Sequence, residues 1–75
     1  MRIKLINLEK KILANEHYLT RNYPDTYLVL SQINMLLDFG MNDKKITEWY
    51  RTNKTAIQII YNLLRKKNVS VSTNI

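Results

Sequence analysis

Seventy-five residues with one Gly, one Pro and no Cys specify one small domain and exclude disulfides, thiolate metal sites and a turn-rich β fold. Hydrophobic residues make up 45% of the chain, enough for a core and too many for global disorder, yet no uninterrupted apolar run approaches the ~18 residues a membrane span needs. The net charge of +6 is one-sided: residues 1–48 carry seven basic and six acidic side chains, whereas residues 49–75 carry Arg51, Lys54, Arg65, Lys66 and Lys67 and no acid.

From the N-terminus, Glu9, Lys10 and Lys11 come too early to leave the apolar core of a signal peptide, so a cytoplasmic protein is expected. Leu5, Leu8, Ile12 and Leu19 recur at helical spacing and predict a first helix over about 3–21. Asn22-Tyr23-Pro24-Asp25 is the expected break, because Pro drives the preceding residue out of the helical region and suits the first turn of a new helix. The second helix, about 24–39, is apolar on nearly every face through Leu28, Val29, Leu30, Ile33, Met35, Leu36 and Leu37, the pattern of a central buried helix. Gly40 stands where a helix end needs a left-handed residue. Asn42 is placed to N-cap a third helix, about 43–50, and Asn53 to cap a fourth, about 54–67, after a turn at Arg51 and Thr52. Asn68 is the expected stop, and the tail from Val69 reads as a short strand or an irregular end. The expected fold is all-α, a compact four-helix domain.

The last two helices have the spacing of a helix-turn-helix. Ile46 and Tyr50 lie four apart and share a face, as do Ile57, Ile60 and Leu64 on the following helix. These residues can form the apolar seam that two short helices need. On the fourth helix Ala56, Ile57, Ile59, Ile60, Tyr61, Leu63 and Leu64 cover a wide apolar arc. Lys54, Thr55, Gln58, Asn62 and Arg65 fill the remaining arc, which is polar and free of carboxylates. Gln and Asn can bond adenine, Arg can bond guanine, and Lys and Arg can neutralise phosphates. The same residue types are also common on a solvated helix face.

The run Leu36-Leu37-Asp38-Phe39-Gly40-Met41-Asn42-Asp43-Lys44-Lys45-Ile46-Thr47 resembles the opening of the LuxR-type DNA-binding domain. Thr52-Asn53-Lys54-Thr55-Ala56-Ile57 is similar to that family's turn and recognition-helix start, and Arg65-Lys66-Lys67-Asn68-Val69 to its close. Region 4 of sigma factors looks similar as well. The likeness covers about half of the chain, Leu36 to Val69. It implies that Lys54, Gln58, Ile59 and Asn62 face the groove, with Lys44, Lys45 and Arg51 near the backbone. The chain departs from the family pattern at Thr47, Arg51, Ala56 and Ile60. It also lacks the family's last helix after Val69 and has an extra N-terminal one.

Other chemistry finds little support. His17 is the only His and has no second ligand at metal spacing. The six carboxylates are scattered, and no Gly-rich loop is present to cradle a phosphate. We therefore expect no enzyme, no metal site and no cofactor. Tyr18, Tyr23 and Tyr27 cluster near the first break, and Trp49 and Tyr50 precede the turn. Core packing with a hydrogen-bonded polar tip is the simpler reading, and base stacking or a protein contact the alternative, with Trp49 its best candidate.

The expectation is a sequence-specific, double-stranded DNA-binding transcriptional regulator that reads the major groove with the fourth helix. Lys44, Lys45, Arg51, Lys54, Thr55, Gln58, Ile59, Asn62, Arg65 and Lys66 are its contact residues. An Asn-, Lys- and Ile-rich composition fits the AT-rich genome of a phage or other mobile element. A domain this small needs a homodimer or another partner, and Leu5, Leu8, Ile12 and Leu19 can supply that surface if they are not all used internally. The alternative is a protein-interaction module that binds a repressor, an RNA polymerase subunit or another host protein. Exposure of Ile59 or Trp49 would favour that alternative.

Overall fold

The computed structural model describes the backbone of residues 1–73 and the side chains of residues 1–68. Among them the regular elements are all helices: α1 (Arg2–Ala14), α2 (Glu16–Asn22), α3 (Thr26–Asp38), α4 (Asp43–Thr52) and α5 (Lys54–Thr73). None of these helices is long and apolar enough to cross a membrane.

Each helix contributes to one core. Leu5, Leu8 and Ile12 of α1, Leu19 of α2, Val29 and Ile33 of α3, Ile46 of α4 and Ile57 and Ile60 of α5 are buried together. Removing such side chains from water stabilises by about 1.5–3 kcal/mol each. The four residues proposed as a dimer surface are thus fully enclosed within the chain, with 0% exposure each. A small chain needs them for its own core.

The expected first helix is two helices. At Asn15 the backbone leaves the helical region (φ −127°, ψ 26°), and the side-chain amide donates to the Lys11 carbonyl at 3.0 Å. Asn competes with the backbone for such acceptors and so favours helix ends. The break is fastened from a distance: Lys67 Nζ donates to Asn15 Oδ1 at 2.8 Å. It also sits 5.2 Å from the ring centroid of Tyr18, whose hydroxyl donates to the Leu63 carbonyl at 2.9 Å. These contacts seat α2 on α5.

The expected break near Pro24 is present, with Asp25 as N-cap and Thr26 opening α3. Pro24 lies in the preceding turn, and its carbonyl accepts from the Tyr27 amide at 3.2 Å. Contrary to the expectation, α3 is not buried all round. Thr26, Val29 and Ile33 are buried, while Leu28, Met35 and Phe39 are 60%, 56% and 71% exposed. α3 packs on α1, α2 and α5.

The end of α3 is a Schellman motif. The Met41 amide reaches the Leu36 carbonyl at 3.0 Å and the Gly40 amide the Leu37 carbonyl at 3.2 Å. Gly40 has φ +60°, the left-handed conformation expected of it. Asn42 caps α4 through its Oδ1, which accepts from the Lys45 amide at 3.0 Å. The start of α1 is tied to this corner, where Arg2 Nη2 donates to the Met41 carbonyl at 2.8 Å.

Arg51 and Thr52 belong to the last turn of α4, and one residue, Asn53, separates α4 from α5. Its side-chain amide donates to the Trp49 carbonyl at 3.0 Å, and its own carbonyl accepts from the Ile57 amide at 3.0 Å. Asn53 therefore ends one helix and begins the next. Asn68 does not end α5: helical backbone continues to Thr73 in place of the expected short strand or irregular end, and residues 74–75 of that tail lie outside the described residues.

Candidate nucleic-acid interface

Ile46, Ile57 and Ile60 anchor the inner side of the α4–α5 pair, with Tyr50 and Leu64 half-buried beside them. This packing turns two adjacent rows of α5 outward. One row is Lys54, Gln58, Tyr61 and Arg65, spaced four, three and four apart. The other is Thr55, Ile59, Asn62 and Lys66, with the same spacing. Lys54, Thr55, Gln58, Asn62, Arg65 and Lys66 are exposed, whereas Ile59 and Tyr61 are half-buried. Gln58 Nε2 donates to Asn62 Oδ1 at 3.1 Å and links the rows.

The first row borders two clefts. A cleft of about 570 Å³ is lined by residues that include Lys11, Asn15, Gln58, Tyr61 and Arg65. A second, of about 350 Å³, includes Lys4, Tyr50, Arg51, Lys54 and Gln58 in its lining. Gln58 and Tyr61 belong to both. Five cations thus come together from α1, α4 and α5, and neither cleft has a carboxylate in its lining.

Two of those cations are held by aromatic rings. Lys4 Nζ lies 5.3 Å from the Tyr50 ring centroid, and Lys11 Nζ lies 5.3 Å from that of Tyr61. The ring face attracts the ammonium without neutralising it. Among the described residues the only ion pair joins the N-terminal amine to Asp43, at 3.9 Å. None of the lysines and arginines of the clefts is in an ion pair among the described residues.

Of the residues singled out in the sequence, the structure brings Arg51, Lys54, Gln58 and Arg65 into this trench. Thr55, Ile59, Asn62 and Lys66 lie on the adjacent row of α5. Lys44 and Lys45 are exposed in the first turn of α4 and line neither cleft. Sequence reasoning missed Lys4, Lys11 and Tyr61 as members of the site. The seven-residue spacing of Lys4 and Lys11 placed them on one face of α1, but only the tertiary packing sets that face beside α5.

Tyr50 has a perturbed acidity. Its hydroxyl is buried without a hydrogen-bond partner, and desolvation, with a smaller contribution from the nearby Tyr61, pushes its pKa up to about 12. Trp49 is half-buried, packs edge-on against Tyr50 at 5.3 Å, and donates from Nε1 to Gln32 Oε1 at 2.8 Å. Its polar tip is satisfied, as a packing role requires. Among the described residues no three His, Asp or Glu side chains converge as a metal site.

No family model matches the chain, and neither a curated protein nor a solved structure matches it.

Proposed function

We propose that the protein binds double-stranded DNA as a small transcriptional regulator. The observation that carries this reading is the five-cation, carboxylate-free trench of Lys4, Lys11, Arg51, Lys54 and Arg65 around Gln58. A polyanion gains most from such a surface, because each phosphate neutralised releases condensed counterions. The polar groups of Gln58 and Asn62 lie between the cations on α5, where they can exchange their mutual hydrogen bond for base edges. On this reading α4 and α5 act as a helix-turn-helix, α5 enters the major groove, and the likeness of Leu36–Val69 to LuxR-type domains points the same way. The protein-module alternative loses two of its supports, since Ile59 and Trp49 are both half-buried.

Fluorescence anisotropy with labelled duplex DNA across a salt series tests the proposal. Affinity should fall steeply with salt, and Lys54→Ala/Arg65→Ala should make the slope shallower by about 2, one for each phosphate no longer neutralised. Gln58→Ala and Asn62→Ala should reduce discrimination between sequences more than affinity. No binding at low salt would overturn the reading.

A further inference from the structure

The exposed side of α3 repeats every seven residues. Leu28 and Met35 are seven apart, Gln32 and Phe39 are seven apart, and the four interleave as the d-a-d-a seam of a coiled coil. In a lone chain the apolar members of such a seam have no partner. Here Leu28, Met35 and Phe39 stand 60%, 56% and 71% exposed. Gln32 between them is held by Trp49 Nε1 at 2.8 Å. Beside the seam runs an apolar groove of about 190 Å³ bordered by Met35, Leu36, Phe39, Met41 and Trp49.

The geometry points to a second copy of this chain as the occupant, packed antiparallel along α3. Charge selects this partner. α3 is the only one of the five helices without a Lys or Arg. Two copies of a +6 chain can approach there without cations facing each other. An acidic protein or an anionic membrane surface finds no cation on this helix to hold it. Antiparallel pairing sets the helix dipoles head to tail.

Area is consistent with the same partner. At about 200 Å² per large side chain, the exposed parts of Leu28, Met35 and Phe39 amount to roughly 370 Å² per copy. Two copies bury about 750 Å², the size of a weak, reversible contact. An isologous contact of this kind closes on itself and places Leu28 against Phe39 of the second copy and Gln32 against Met35. The polar Gln32 in the seam then fixes register.

Sedimentation equilibrium of the full chain, without nucleic acid, tests this independently of the DNA reading. Between about 1 and 300 µM the mass should rise from monomer to dimer, with a dissociation constant on the order of 10 µM. Leu28→Lys and Phe39→Glu should each weaken association at least tenfold with the helical circular dichroism unchanged, since both side chains face solvent in one copy. Leu28→Lys/Phe39→Glu should associate better than either single variant, because the introduced charges meet across an antiparallel seam. A mass that stays monomeric, or a dimer indifferent to both single variants, overturns the inference. A double variant no better than the singles overturns the antiparallel pairing.

Discussion

Tyr50 hides a hydroxyl that satisfies nothing. Its oxygen is buried without a partner, and an orphaned buried polar group costs about 1–3 kcal/mol relative to one that is paired or hydrated. Tyr50→Phe should therefore keep the fold and raise stability at neutral pH by roughly 1 kcal/mol, read from urea denaturation. The same burial raises the Tyr50 pKa from 10.0 to about 12. Between those values the native chain holds a proton that the unfolded chain has released. Its contribution to stability is therefore complete below pH 10 and is lost as pH climbs toward 12. Wild type should lose more stability across that window than Tyr50→Phe, and ultraviolet titration should show a tyrosine ionising near pH 12 that is absent from Tyr50→Phe. Equal alkaline losses in the two proteins would contradict the assignment.

At the scale of elements, the α3–α4 corner depends on one dihedral angle. Gly40 sits at φ +60°, and a Cβ built there meets nothing within 4 Å. Gly40→Ala therefore tests conformation without a packing clash, and should cost about 1 kcal/mol of the left-handed penalty. Gly40→Asn should cost less, because Asn tolerates that region. This corner was legible in the sequence because Gly and the capping Asn42 are chemically distinctive. The break at Asn15 was not. Ile12 and Leu19 are seven apart, and a continuous helix keeps such a pair on one face, so the periodicity runs through the break unmarked. Asn15 is a helix end because Lys67, fifty-two positions away, and its own bond to Lys11 reward that conformation. The exposed face of α3 was hidden for the opposite reason. An all-apolar helix signals burial, but the pattern cannot say whether the cover comes from the same chain. At the candidate site, the carboxylate-free arc of α5 was visible in the sequence, whereas the placement of Lys4 and Lys11 beside it required the packing of distant helices.

For the whole molecule, the question is whether the charged surface is α5 alone or a trench shared with α1. A field summed over several helices attracts a polyanion more strongly than one helix face, because every cation that reaches a phosphate adds to the counterions released. Lys4 and Lys11 stand on α1 with their ammonium groups over Tyr50 and Tyr61. They flank the clefts that Lys54 and Arg65 line on α5. If both helices grip the backbone, Lys4→Ala/Lys11→Ala should lower affinity for duplex DNA at about 50 mM salt and reduce the salt slope by about 2. That weakening should be nearly uniform across sequences, since neither lysine is placed on the reading helix. Stability should fall by no more than about 1–2 kcal/mol, from two cation–π contacts at partly exposed sites. A salt slope unchanged by the α1 pair but reduced by Lys54→Ala/Arg65→Ala would confine the DNA contact to α5, and Lys4 and Lys11 would then serve only to cover the two tyrosine rings.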